Sequence, residues 1–188
     1  MLLFFDTETT GLPGNWKAPL EDLSNWPRLV QLAWIAFDLD GNELASADTI
    51  IRPDGFDIPA DASRVHGIST AFARERGTPL IDVLHTFSHQ AESMTLVAHN
   101  MSFDEKIVGA ELLRSGMVNV MSRRPRFCTM TSTTDWCAIP GPYGYKWPSL
   151  AELHQKVFGT GFKDAHSATS DVRATASCYW EMKRRKLL

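Results

Sequence analysis

Two carboxylates stand one residue apart in the segment Phe5-Asp6-Thr7-Glu8-Thr9-Thr10-Gly11-Leu12, directly after the apolar run Leu2–Phe5. If that run is a strand, side chains two apart share a face. Ionised carboxylates held that close repel each other unless a cation lies between them or one takes a proton. An oxygen-only donor set suits a hard divalent ion such as Mg²⁺, which keeps water and phosphate oxygens in its shell. A bare Asp-x-Glu is also what a solvated acidic strand end looks like, so the pair decides nothing alone.

Two further segments carry the same chemistry. His99-Asn100-Met101-Ser102-Phe103-Asp104 follows the apolar run Thr95–Ala98. Asp104 falls in the first turn of a predicted helix, where the helix dipole by itself favours a negative charge. Asn100 or Ser102 suits the N-cap of that helix. The last segment is His166-Ser167-Ala168-Thr169-Ser170-Asp171. If both ends were helical, five residues at about 100° each would set them roughly 140° apart. His166 and Asp171 converge only if His166 lies on the loop before the helix, with Ser167 or Ser170 as its cap. A loop histidine titrates near neutrality and suits a general base, although a lone histidine in a polar loop is commonly a plain surface residue. Together the segments bring four carboxylates and one imidazole to strand ends or helix starts. In an open α/β sheet those ends gather on one edge, where ligands bind.

The elements that must position these groups follow from the pattern. Leu2–Phe5, Leu29–Phe37, Glu43–Ile51 and Thr95–Ala98 read as strands, with an Asp-Gly turn at residues 38–42 joining the second and third. Residues 13–28, with three prolines, read as a loop, and Pro53–Ser69 as irregular with one helical turn at most. Leu80, Val83, Leu84 and Phe87 repeat at helical spacing, as do Phe103, Ile107, Ala110 and Leu113 up to Gly116. Residues 122–148 read as loop with a short strand at Phe127-Cys128. Ser149 with Glu152 three residues on announces a capped helix to Phe158. A final helix runs from about Ser170 to Lys186. A hairpin followed by strands alternating with helices predicts a three-layer α/β domain with a mixed sheet, residues 1–188 forming one domain.

FDTETTGL, HNMSFD and HSATSD resemble, in order, the three motifs of the DEDDh group of 3′-to-5′ exonucleases, and they span residues 6 to 171. That group is DnaQ-like and holds both proofreading subunits such as DNA polymerase III epsilon and small stand-alone nucleases. Val65-His66-Gly67-Ile68-Ser69 resembles a further element common in the group. The resemblance implies a ribonuclease H-like fold with a mixed five-stranded sheet flanked by helices. It implies two divalent metal ions, Mg²⁺ or Mn²⁺. Asp6 would bridge them, Glu8 and Asp171 would complete the ligand set of one, and Asp104 would hold the ions directly or through water. His166 would deprotonate the water that attacks the terminal phosphodiester. Ions about 3.5–4 Å apart stabilise both the attacking and the leaving oxygen. By the same resemblance Thr9, Thr10, Leu12, His66, Asn100 and Phe103 would meet the terminal nucleotide, Leu12 as a wedge and Phe103 as a stacking platform. For Phe103 and His66, plain packing is an alternative.

The expected partner is a nucleic acid with a free 3′ end, single-stranded DNA first and RNA second, with association to a polymerase and homodimerisation both open. A catalytically idle nucleic-acid-binding module is the competing class, and the intact set of five residues argues against it. Composition agrees. Of 188 residues, 44% are hydrophobic and 22% charged, and 19 basic against 22 acidic side chains give a net charge of −3. That excludes disorder and a histone-like basic mode of binding, but not a local basic groove. The candidates for phosphate contact are Arg123-Arg124-Pro125-Arg126 and the basic end Lys183–Lys186, and for base stacking Trp16, Trp26, Tyr143, Tyr145 and Trp147. No apolar run has membrane-spanning length and no secretory signal pattern is present. Three widely spaced cysteines predict reduced thiols in a cytoplasmic protein. The end at Leu188, just after the last helix, favours a stand-alone nuclease.

Overall fold

A computed structural model describes residues 1–162 and 167–188. Its main sheet has five strands in the order β3-β2-β1-β4-β5, where β1 is Leu2–Thr9, β2 Leu29–Phe37, β3 Glu43–Ile50, β4 Thr95–Ala98 and β5 Arg126–Cys128. β1 to β3 form an antiparallel meander, and β4 and β5 run parallel to β1. The sheet is mixed, as predicted.

Central β1 is longer than the apolar run that announces it. It continues through the motif to Thr9, paired with β2 from Leu2↔Phe37 to Glu8↔Gln31. Asp6 and Glu8 therefore sit inside a hydrogen-bonded strand rather than beyond its end. Alternation splits β1 between two cores. Leu3 and Phe5 pack with Val83, Leu84 and Phe87 of α3 (Leu80–Ala91) and with Ile107, Val108 and Leu112 of α4 (Met101–Arg114). Leu2 and Phe4 pack on the other face with Val172 and Ala176 of α8 (Ala168–Arg184). Phe4 is fully buried between the rings of Phe37 and Tyr179, at 5.5 and 5.3 Å between centroids. α7 (Leu150–Phe158) covers α8 through Leu153 and Val157 against Cys178 and Met182. Helix, sheet and helix make the three layers. The Ser149–Glu152 capping box is present at the start of α7.

Three predicted stretches differ. Pro53–Ser69 contains a two-turn helix, α1 (Ala60–His66), and α2 (Thr70–Arg76) follows it. Their buried side chains, Ala62 and Ala73, are too small and too sparse to show a period. Residues 129–145 form two single-turn helices, α5 (Thr129–Ser132) and α6 (Thr134–Cys137), and a small hairpin of β6 (Pro140–Gly141) and β7 (Gly144–Tyr145). α8 begins at Ala168, so Ser167 and not Ser170 occupies its N-cap position. Cys128, Cys137 and Cys178 are free thiols. No helix among the described residues is long and apolar enough to cross a membrane.

Candidate active site

The alternation that builds the core also builds the site. Asp6 and Glu8 share the face of Phe4 and point toward α8, where Asp171 lies in the first turn. One carboxylate oxygen from each of Asp6, Glu8 and Asp171 lies within 4.8 Å of the other two. Thr7 points to the opposite face and meets α4, its hydroxyl donating to Asp104 Oδ1 at 2.7 Å. Asp104 is 3% exposed. Four carboxylates from β1, α4 and α8 thus line one cavity of about 210 Å³, whose remaining wall is Thr7, His99, Asn100, Phe103 and Leu150.

No Lys or Arg stands among the described residues of that wall, and the Asp6, Glu8 and Asp104 carboxyls are raised above their usual range. Asp6 is raised well above the usual carboxylate range by burial, then by Asp104, Asp171 and Glu8. Glu8 is pushed up to about 8 by burial, then by Asp171 and Asp104. Asp104 is pushed up to about 7 by burial, which outweighs the lowering by the Thr7 hydroxyl. An all-oxygen set of hard donors fits a divalent ion of the Mg²⁺ or Mn²⁺ type and not a soft one.

The other predicted residues separate into three groups. Asn100 and Phe103 line the cavity. Asn100 holds the N-cap position of α4 without a side-chain cap bond, and Phe103 leans on Trp16 at 5.6 Å between ring centroids. Thr9, Thr10, Leu12 and His66, the rest of the expected nucleotide-facing set, lie outside that cavity wall. The Thr9 hydroxyl turns back to the Gly11 carbonyl at 2.6 Å, and Thr10 Oγ1 accepts the Arg28 N–H at 2.9 Å. Both threonines shape the strand exit instead of presenting hydroxyls. Leu12 is 73% exposed beside them, free to act as a wedge. His66 Nδ1 accepts the Ile68 N–H at 3.1 Å, and burial lowers its pKa against the opposing Thr9 backbone. His166 lies outside the described residues.

Three lining residues escaped the sequence reading. Thr7 was signalled by strand alternation alone, since it must face the helix opposite to that met by Asp6. Leu150 carried no signal. His99 stands in a quoted motif, yet its use is structural. Its Nε2 lies 3.0 Å from the Pro148 carbonyl, which only accepts, so Nε2 carries the proton and Nδ1 accepts from Thr129 Oγ1 at 3.0 Å. Burial depresses its pKa to about 4, so it stays neutral and clasps residues 129 and 148 to the end of β4. The basic stretches are largely spent on neighbours. Arg124 donates to the Glu92 carbonyl, Arg126 pairs with Glu105, and Arg184 and Arg185 both pair with Glu181. Trp26 is buried, whereas Trp16, Tyr143, Tyr145 and Trp147 are exposed.

A family model described as exonuclease (RNase T) matches residues 3–179, an interval holding all four carboxylates. DNA polymerase III subunit epsilon of Treponema pallidum is 33% identical over 182 residues, which cover 95% of this chain and 74% of that protein. Human three-prime repair exonuclease 1 is 26% identical over 210 residues, covering 95% of this chain and 63% of that protein. Among solved structures, Escherichia coli exonuclease I in complex with a dT13 oligonucleotide superposes with a TM-score of 0.79 at 21% identity, over 98% of this chain and 41% of that one. Exonuclease I from Methylocaldum szegediense gives 0.77 at 23% identity, over 98% and 40%. These superpositions establish the shared α/β fold, and the matched model together with the Treponema relative establishes the kinship. The chain belongs to the DnaQ-like family of 3′-to-5′ exonucleases.

Proposed function

We propose that this protein is a metal-dependent 3′-to-5′ exonuclease that removes nucleoside 5′-monophosphates from single-stranded DNA or short oligonucleotides. The observation that carries this reading is the carboxylate triad of Asp6, Glu8 and Asp171, gathered within 4.8 Å on one cavity. Asp6, Glu8 and Asp171 would hold divalent ions, with Asp104 as the further carboxylate behind them. Ions bound there supply Lewis-acid stabilisation of the attacking and leaving oxygens of an in-line displacement. Thr7 keeps Asp104 oriented through its 2.7 Å hydrogen bond. His166 would take the proton of the attacking water. The water oxygen forms the new bond to phosphorus, the bond to the 3′ oxygen of the preceding nucleotide breaks, and that oxygen leaves with a proton. Exposed Leu12 and cavity-lining Phe103 would hold the terminal base between an aliphatic edge and a ring.

DNA is favoured over RNA because the relatives are a DNA polymerase subunit and a repair exonuclease, and the superposed exonuclease I holds dT13. The Treponema relative also makes a polymerase the first protein partner to test. Wild-type protein and Asp6→Ala are to be compared on 3′-labelled and 5′-labelled single strands of DNA and RNA, with Mg²⁺, with Mn²⁺ and with EDTA. The expected result is metal-dependent shortening of DNA from its 3′ end, lost in Asp6→Ala. Faster shortening of RNA would move the substrate to RNA. Retained binding with no cleavage of either strand under either metal would leave only a binding module.

A further inference from the structure

A second cavity, of about 480 Å³, opens on the other end of α4. Three arginines, Arg28, Arg52 and Arg114, line it against one acidic side chain, Asp54, with Phe56 beside them. Two of these arginines are built in. The buried carboxylate of Glu111 takes Arg28 Nε at 2.8 Å and stands 3.1 Å from Arg114 Nη1. The Arg28 guanidinium lies over the Phe56 ring at 4.2 Å. Arg114 Nη2 is committed to the Leu23 and Trp26 carbonyls, at 2.6 Å each, while its Nη1 is buried without a hydrogen-bond partner. Arg52 is aimed by a close approach of backbone. Its Nε donates to the Gly77 carbonyl at 3.1 Å, and a Cβ on Gly77 would fall 2.5 Å from Arg52 N. The terminal amino groups of Arg28 and Arg52 donate to nothing among the described residues. The N-terminus of α3 closes the cavity, where Pro79 provides no side-chain cap.

One carboxylate shared by two guanidiniums leaves an excess of positive charge, and Arg52 adds to it. Forked guanidinium donors match phosphate oxygens bidentately, and a helix N-terminus favours the same anion. Ten residues of α4 separate Asp104 from Arg114, a rise of about 15 Å, so the cavity is distinct from the carboxylate site. It communicates with that site through Arg28, whose N–H bonds Thr10 Oγ1 and whose carbonyl accepts the Thr10 N–H. We propose that this arginine-lined cavity is a second phosphate-binding site, taking either a phosphodiester of the strand leading away from the active site or the phosphate of a free nucleotide. The strand source rests on the nuclease reading above; binding of a phosphate does not.

The test uses the full chain in EDTA, so that no cleavage is needed. Binding of inorganic phosphate, dTMP, a DNA dinucleotide and a DNA 10-mer is measured by calorimetry for wild type, Arg52→Gln and Asp54→Asn. Arg52 is the arginine outside the Glu111 network, so its removal leaves that network intact. If the source is the strand, Arg52→Gln weakens the 10-mer at least 5-fold more than the dinucleotide. Its slope of log K against log salt also flattens by about 0.7, the loss of one phosphate contact. If the source is a nucleotide, dTMP and phosphate bind wild type and lose at least 5-fold in Arg52→Gln. In either case Asp54→Asn tightens the same ligand 2-fold or more, a gain that damage to the fold does not produce. Equal affinities of wild type and Arg52→Gln for all four probes overturn the proposal. A wild type that binds these probes but shows no hydrolysis with metal would count against the nuclease reading alone.

Discussion

Helix α4 carries two buried acids seven residues apart, about two turns along one face, and the protein treats them in opposite ways. Glu111 is fully buried and Asp104 is 3% exposed. Around Glu111 the chain supplies its own counter-charge, with Arg28, Arg114 and the Leu29 N–H all on one oxygen. Around Asp104 the described residues supply the Thr7 hydroxyl, backbone N–H groups and three further carboxylates, but no basic side chain on the cavity wall. Burying a charge without a partner is costly, and the cost at Glu111 is met inside the fold. At the Asp6 cluster burial and neighbouring carboxylates instead raise the pKa of Asp6, Glu8 and Asp104. A buried carboxylate paired with arginines is stabilised as an ion, whereas carboxylates gathered beside one another raise each other's pKa.

The comparison breaks most visibly through activity and stability read together. Asp6→Asn removes a proposed metal ligand and also a buried ionisable group that is costly to charge. Hydrolysis from the 3′ end should fall by about 10³-fold or more, equivalent to roughly 4 kcal/mol of transition-state stabilisation. Thermal unfolding in EDTA should shift upward by about 2–4 °C, the equivalent of roughly 1 kcal/mol. A downward shift would mean that the cluster is internally compensated after all.

Glu111→Gln should do the reverse. It leaves Arg114 and Arg28 without their carboxylate and should cost about 3–5 kcal/mol in denaturant unfolding. The segment 13–28, tied to α4 through Arg114 and through the packing of Ala18 and Trp26 on Ala110, should become the first site of proteolysis.

The pH dependence of the metal-free protein sharpens the contrast further. Carboxyls raised in the folded state contribute stability that is fully present below their ordinary range, near 4.5 for Glu8, and that is lost as pH rises through the folded value of about 8. The unfolding temperature in EDTA should therefore drop between about pH 5 and 8.5, on the order of 5 °C. Added Mg²⁺ or Mn²⁺ should restore more at pH 8 than at pH 5.5, because ionised ligands are what it binds. A metal-induced rise independent of pH would detach the ions from this cluster. The smallest effect belongs to Thr7→Val, which removes the donor to Asp104. A loss of about 1 kcal/mol in metal-free stability is expected, with a 5- to 10-fold fall in hydrolysis measured on the same labelled strand.

Much of this was legible in the linear sequence because strand alternation and capping are local. Leu29–Phe37 and Thr95–Ala98 are strands with the predicted bounds, and Ser149 caps α7 as its spacing to Glu152 announces. Asp6 and Glu8 share a face because a strand repeats every two residues. What failed had the same cause in reverse. α1 and α2 bury almost nothing large, so they leave no period to read.

The sequence by itself determined which residues carry charge and chemistry, and their order along the chain, because type and short-range spacing need no third dimension. Only the tertiary structure decided which charges would be answered. Arg28 reaches Glu111 across 83 residues and Thr7 reaches Asp104 across 97, and the approach of α8 to β1 brings Asp171 to Asp6 and Glu8. Whether a buried acid is stabilised as an ion or has its pKa raised depends on the sign of what folding places beside it, and that is a property of distance in space.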